Sequence, residues 1–191
     1  MTYDLLLISG SLRAGSVNAA VLKTAQKLSP GELTAHTYAS LSELPHFNPD
    51  DDHEPLNLAV ANLRNRIGKA DALLICTPEY AGALPGAFKN LLDWTVGGME
   101  MDRKPVAWIN ASSLAAPAGG EDAHAALRKV MGYVGATIVE SACARIPVPR
   151  QAVGKDGIIR EAAVRNQISA TLGALVDFLK IRTFNQAIGE A

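Results

Sequence analysis

Residues 5–18, LLLISGSLRAGSVN, have the form of a buried strand, a polar turn and a helix. The unbroken apolar run at the start is typical of a strand that is covered on both faces of a parallel sheet. After the turn, apolar residues recur at helical spacing from Val17 to Leu28. A strand that leads directly into a helix in this way restricts the chain to folds in which helices cover a parallel sheet.

The polar turn in this stretch has the chemistry of a phosphate site. The start of the helix offers unpaired backbone N–H groups and a partial positive charge. Ser11 and Ser16 add hydroxyl donors, and Arg13 adds a guanidinium that can hold phosphate through two hydrogen bonds. Gly10 and Gly15 allow the backbone to approach a ligand closely. We interpret the turn as a phosphate cradle; the alternative is that Ser16 only caps the helix and Arg13 is solvated.

The cradle differs from the common phosphate-binding loops. It lacks the Gly-Lys-Ser/Thr of nucleoside-triphosphate loops and the G-x-G-x-x-G of dinucleotide-binding folds. It contains no cysteine, which excludes a cysteine phosphatase of similar layout, and no aspartate ends the strand, which argues against a phospho-acceptor receiver domain.

Strands and helices alternate along the rest of the chain. Further strands are predicted at residues 33–39, 71–76, 106–111 and 136–142, of which the first is polar enough for a sheet edge and the last is weak. Apolar periodicity predicts helices around residues 56–67, 88–92, 127–134 and 164–179, and the tail after Ile181 is expected to be loosely held. We therefore predict one α/β domain over residues 1–191, with five parallel strands in the order 2-1-3-4-5 between two helical layers.

Three polar loops follow the first, third and fourth predicted strands, and they should meet at one edge of the sheet. In this strand order the winding reverses between the first and third strands, and ligands bind outside the carboxyl ends of strands at that point. The loop at residues 77–83 offers irregular backbone and Tyr80, which suit a flat heteroaromatic ring. Trp94 could also cover a ring, although we favour core packing for it. Glu79 could lie beside such a ring or, equally, have a structural role as a surface charge or an anchor beside a helix.

Composition and charge exclude several classes of function. The net charge is −1, with 18 basic and 19 acidic residues, so neither a nucleic-acid surface nor a polyanionic tail is indicated. No apolar run has the length of a membrane span, and the first residues lack the pattern of a secretory signal. Cys76 and Cys143 have no metal or redox spacing, which favours reduced thiols in the cytoplasm, with Cys76 in the core. The acidic residues 50–54 lack clean ligand spacing and are interpreted as a solvated loop.

The segments GSLRAGSVN and PEYAGALPGAFKNLLDW, each directly after a predicted strand, resemble the NADPH-dependent FMN reductase family. The resemblance covers roughly residues 5–134. That family has a flavodoxin-like fold and includes quinone, chromate and azo-dye reductases. The resemblance implies an oxidoreductase that passes a hydride from NADPH or NADH to bound FMN and then electrons to a small-molecule acceptor such as a quinone, a flavin, an azo compound or a metal anion. It also implies a homodimer or homotetramer.

The resemblance further implies which residues bind the cofactor. The FMN phosphate would lie at the first motif, and the isoalloxazine ring at the second motif and the loop after the fourth strand. The cofactor-binding residues would be Ser11, Arg13, Ser16, Val17 and Asn18 in the first motif, Pro78, Glu79, Tyr80 and Ala81 in the second, and Ser112 after the fourth strand. Ala81 replaces the asparagine of the family's usual P-E-Y-N, and Ala83 replaces a frequent serine, so we expect a less polar rim.

We assign no catalytic side chain and no metal ligand, because a flavin carries out the chemistry that this reading requires. The four histidines are scattered, and we interpret His124 as a helix-surface residue. Two alternatives remain open from the sequence. A flavodoxin-like electron carrier would use the same FMN site but is usually strongly acidic. A nucleotide-binding module without redox activity would use the cradle alone.

Overall fold

The computed structural model describes residues 1–112 and 119–189. The strands in these residues are β1 (Tyr3–Ser9), β2 (Leu33–Tyr38), β3 (Ala72–Cys76), β4 (Pro105–Asn110), β5 (Thr137–Ile138) and β6 (Ala144–Arg145). The helices are α1 (Val17–Leu28), α2 (Leu58–Lys69), α3 (Gly86–Asp93), α4 (Glu121–Tyr133) and α5 (Ala162–Gly189). The strands pair in parallel in the order β2-β1-β3-β4-β5, as predicted, and β6 also pairs with β4.

Continuous apolar strands occupy the centre of the sheet. Every residue of β3 and of β4 is buried, because helices cover both faces. One core lies between the sheet and helices α1 and α5, and a second lies between the sheet and helices α2, α3 and α4. Strand β2, whose burial is uneven, lies at the edge. The three-layer architecture predicted from the alternation, and the flavodoxin-like fold implied by the family resemblance, are therefore confirmed.

The predicted fifth strand, residues 136–142, is wrong in its extent. Only Thr137–Ile138 pairs with the start of β4, and a 3₁₀ turn at Glu140–Ala142 interrupts the ladder. Strand β6 then pairs with the end of β4. The turn forms its own backbone bonds, from Ala142 N–H to the Val139 carbonyl and from Cys143 N–H to the Glu140 carbonyl, and it buries Ala142 completely. An edge position tolerates such an interruption because no further strand pairs there.

Two helices are longer than their apolar periodicity predicted. Helix α4 begins at Glu121. Apolar periodicity did not predict this start, because Glu121 and Asp122 make the first turn polar. Helix α5 has 28 residues and continues through the tail that was expected to be loose. In its last turns, the side chains of Ile181, Phe184 and Ile188 are exposed.

The acidic segment before α2 is not simply solvated. The Asp52 carboxylate accepts hydrogen bonds from Arg64 Nη2 at 2.7 and 2.9 Å, and both side chains are about one-tenth exposed. Arg64 Nε also donates to the Trp94 carbonyl at 2.9 Å. Trp94 is buried, as favoured, and its indole N–H donates to the Pro45 carbonyl at 2.8 Å. These contacts fasten the long loop before α2 to the end of α3.

Both cysteines are free thiols, and Cys76 is fully buried. Among the described residues, no group of three His, Cys, Asp or Glu side chains is arranged to hold a metal ion. In residues 1–112 and 119–189, none of the helices combines the length and apolar character that crossing a bilayer requires.

Candidate functional site

The loops that follow β1, β3 and β4 meet at the carboxyl edge of the sheet, where the described residues enclose a cavity of about 280 Å³. The segment after β6 forms a further wall. The residues that line the cavity are Ser11, Arg13, Ser16, Val17, Asn18, Pro78, Tyr80, Ala111, Ser112, Val148 and Arg150. The site therefore lies at the switch point between β1 and β3, as the strand order predicted.

The loop after β1 is shaped by its own hydroxyls and by a close approach to β3. Ser16 is the N-cap of α1, and its Oγ accepts the Ala19 N–H at 3.0 Å. This bond leaves the Ser16 hydroxyl proton free to donate to a ligand, so capping and binding are compatible. Gly10 donates its N–H to the Cys76 carbonyl, and a Cβ built on Gly10 would lie 2.1 Å from Thr77 Oγ1. Only glycine permits this approach.

Asn18 is oriented by a buried thiol. The Cys76 Sγ donates to Asn18 Oδ1 at 3.2 Å, and burial raises the pKa of Cys76 well above its usual range. Because the thiol therefore stays protonated, it holds the amide oxygen of Asn18. The Asn18 NH₂ group remains to donate hydrogen bonds at the cavity.

The cavity carries positive charge. Arg13 and Arg150 line it, whereas no acidic side chain is among the lining residues that the structure describes. Neither guanidinium has an acidic partner in residues 1–112 and 119–189. The first turn of α1 also lacks an acidic residue, so its partial positive charge is not offset locally. The part of the cavity formed by Arg13, Arg150 and the start of α1 therefore favours the binding of an anionic ligand.

The loop after β3 contains a tight two-residue turn. Tyr80 and Ala83 exchange backbone hydrogen bonds of 3.0 and 3.1 Å across Ala81 and Gly82, which both have positive φ, 52° and 68°. This pattern defines a type I′ turn. The side chain of Tyr80 is about half exposed and lines the cavity together with Pro78.

Glu79 connects this loop to helix α4. Its Oε2 accepts the backbone N–H of Ala123, in the first turn of α4, at 3.1 Å. The N-cap of that helix is Gly120, which has no side chain to supply a cap, so Glu79 satisfies the free N–H from another loop. Of the roles that the sequence left open for Glu79, the anchor beside a helix is the one observed.

Asn110 organises the loop after β4. It is buried, and its amide donates to the Gly119 carbonyl at 2.8 Å while its oxygen accepts the Ser112 N–H at 2.9 Å. Ser112 lines the cavity. Ser113 and the part of this loop through residue 118, which the sequence also placed near the site, lie outside the described residues.

Eight of the ten residues that the sequence assigned to cofactor binding line one cavity, and Glu79 and Ala81 do not. The sequence analysis missed Ala111, Val148 and Arg150. Arg150 had a detectable signal, because a cation in the loop after the last strand of a parallel sheet must lie at the same edge as the other carboxyl-end loops.

The interpretation of His124 as a surface residue is wrong. Both of its ring nitrogens are buried and have no hydrogen-bond partner among the described residues, and the ring packs against Trp108 with centroids 6.1 Å apart. Burial lowers the pKa of His124 to about 4. The imidazole is therefore neutral at physiological pH. It is not among the residues that line the cavity.

Comparison with known proteins places this geometry in a family. Residues 3–147 match the model of the NADPH-dependent FMN reductase family. The chain is 30% identical over 139 residues to a quinone reductase of Escherichia coli strain K12, covering 71% of this chain and 73% of that protein. It is 40% identical over 108 residues to an NAD(P)H-dependent FMN reductase of Pseudomonas aeruginosa, covering 56% and 58%.

Solved structures agree with this assignment. The flavoenzyme NAD(P)H:acceptor oxidoreductase FerB from Paracoccus denitrificans superposes with a TM-score of 0.81 at 30% identity, over 94% of this chain and 98% of that chain. The match over residues 3–147 includes the loops after β1, β3 and β4 that form the cavity. The chain belongs to the NADPH-dependent FMN reductase family.

Proposed function

We propose that the protein is an NAD(P)H-dependent FMN oxidoreductase that delivers electrons to a small-molecule acceptor, with quinones, free flavins, azo compounds and oxidised metal anions as candidates. The observation that carries the proposal is the positively charged cavity where Arg13, two serine hydroxyls and the start of α1 meet the loop that holds Tyr80. FMN, when bound, accepts a hydride from NAD(P)H and passes electrons to the acceptor.

The residues that line the cavity fit a phosphorylated ligand with a flat ring. Arg13, Ser11, Ser16 and the Asn18 amide supply donors without a competing carboxylate, which suits a phosphate monoester. Pro78 lies on another wall of the same cavity, where backbone groups of an irregular loop can pair with the polar edge of a ring. The protein binds and orients the cofactor, and no side-chain acid or base is required.

Two measurements on the purified protein test this function. Protein mixed with FMN and desalted should stay yellow, and anaerobic titration with NADPH should bleach the flavin absorbance. Retained colour that NADPH cannot bleach would favour the electron-carrier alternative. If no colour is retained, equilibrium binding of FMN is measured directly, and an absence of binding there would refute the proposal.

Arg13→Ala tests the phosphate cradle. Because hydrogen bonds to charged groups contribute roughly 1.5–3 kcal/mol, we expect FMN affinity to fall about tenfold to a hundredfold. Affinity for riboflavin, which lacks the phosphate, should change little. Lys27→Ala, which removes an exposed cation from the other end of α1, serves as the control. Unaltered FMN affinity in Arg13→Ala would show that the guanidinium does not bind the phosphate.

We also propose a homodimer or homotetramer in the cytoplasm. Leu12 and Tyr80, 57% and 53% exposed, lie in the two loops that form the cavity, so a second subunit could cover apolar surface beside the site. The free thiols Cys76 and Cys143 suit a reducing compartment. Light scattering of the FMN-loaded protein would reveal a monomer if this assembly is wrong.

A further inference from the structure

Among the described residues that line the cavity, Arg150 is the one charged residue that the family's two sequence motifs do not contain. It begins the short 3₁₀ helix Arg150–Ala152, in the segment that leads from β6 to α5. Its side chain is exposed, and its guanidinium has no hydrogen-bond or ion-pair partner among the described residues. Because no carboxylate pairs with this guanidinium among the described residues, it can bind an anionic ligand in the cavity.

The segment that carries Arg150 is fastened along helix α1. At the start of the segment, the Val148 N–H donates to the carbonyl of Ala111, which directly follows β4, at 3.4 Å. Val148 is also buried in the core that includes α1. Its far end is held by the Ile159 N–H, which donates to Thr24 Oγ1 at 3.0 Å, and by Lys23 Nζ, which donates to the Asp156 carbonyl at 2.8 Å. Arg150 therefore lines the cavity beside the start of α1 as part of an anchored segment.

The charge of a phosphate monoester calls for more than one cation. Such a group carries about −1.5 to −2 at neutral pH. Arg13 contributes one positive charge, and the start of a helix contributes the equivalent of roughly half a charge. The dianion would thus keep about half a negative charge uncompensated if Arg13 and α1 were its only partners.

We propose that Arg150 is a second phosphate-binding residue, which together with Arg13 and the start of α1 selects the dianionic form of FMN. The inference rests on the proposed function, because it assigns a further residue to the same cofactor. Arg150 comes from a segment far along the chain from the cradle, so the phosphate would also connect the segment after β6 to the loop after β1.

The test is equilibrium binding of FMN and of riboflavin, followed by quenching of flavin fluorescence, to the wild type and to Arg150→Ala and Arg150→Lys. For Arg150→Ala we expect FMN affinity to fall about tenfold or more, with riboflavin affinity unchanged. Arg150→Lys should keep part of the FMN affinity, because lysine retains the charge without the two-pronged geometry. Lys155→Ala, an exposed cation of the same segment outside the cavity, should leave both affinities unchanged.

Binding at pH values on either side of the second phosphate pKa, roughly 6, adds a readout that a purely structural role would not affect. Wild-type affinity for FMN should fall as the phosphate becomes a monoanion, and the fall should be smaller in Arg150→Ala. Melting temperatures of the variants without flavin check that they are folded.

The inference is overturned by FMN affinity of Arg150→Ala within about twofold of the wild type. It is also overturned if riboflavin affinity falls as much as FMN affinity, or if the variant only raises KM for NADPH and not for NADH, since the latter would assign Arg150 to the dinucleotide. A wild-type protein without FMN affinity would instead refute the proposed function itself.

Discussion

Ala81 occupies a backbone conformation that its side chain disfavours, and replacing it should stabilise the protein. Its φ of 52° and the φ of 68° at Gly82 define the two central positions of the type I′ turn between Tyr80 and Ala83. The left-handed conformation costs an L-residue with a Cβ about 1–2 kcal/mol, whereas asparagine adopts it more readily because its side chain bonds locally. Asn-Gly is the preferred pair for this turn.

The expected gain follows from this conformational cost. Ala81 is exposed, so the substitution Ala81→Asn changes little buried area. We expect the free energy of unfolding to rise by about 1 kcal/mol, which for a chain of 191 residues corresponds to roughly 2–4 °C in Tm. Ala81→Gly should gain less, because glycine also increases the conformational entropy of the unfolded chain.

Urea unfolding of the flavin-free protein, followed by far-ultraviolet circular dichroism, measures this gain. Ala83→Asn is the matched control, because it makes the same chemical change at the other end of the turn, where φ is not positive. The reasoning is refuted if Ala81→Asn is no more stable than the wild type, or if Ala83→Asn stabilises equally.

In the FMN-loaded protein, Ala81→Asn should also shift the flavin reduction potential or the range of acceptors, and no change in either would show that this departure from the family is neutral.

Two further contacts give predictions. Asp52→Ala leaves the buried Arg64 guanidinium without its carboxylate, so we expect a loss of about 3 kcal/mol in urea unfolding. The exposed neighbour Asp50, replaced by alanine, should cost less than about 0.5 kcal/mol, and equal effects would contradict a special role for the pair. Glu79→Ala removes the cap of α4, which should cost about 0.5–2 kcal/mol and speed hydrogen exchange at the Ala123 amide. Glu79→Gln should retain most of the protection, and unchanged exchange in Glu79→Ala would exclude the cap.

The local sequence pattern predicted the position of a residue well where that position depends only on the strand or helix to which the residue belongs. The continuous apolar run of β3 indicated burial on both faces, as observed, and the cap by Ser16, which the sequence analysis gave as the alternative to phosphate binding, is also present. The pattern was less informative where a chain segment meets a partner far away in sequence. The fifth strand is split by a turn whose Ala142 packs in the core, and both ring nitrogens of His124 are buried while its ring packs against Trp108.

The sequence by itself determined the alternation of strands and helices and the polar turn after β1, because periodicity and turn chemistry act over a few neighbouring residues. The order of the sheet could be predicted from that alternation, since few topologies connect parallel strands through helices. The tertiary structure alone decided that Glu79 turns to α4, that Asp52 pairs with Arg64 and that Arg150 joins the cavity. These outcomes depend on the path of long loops over the packed core. That path is set by the shapes of two surfaces in contact, which no local pattern of residues encodes.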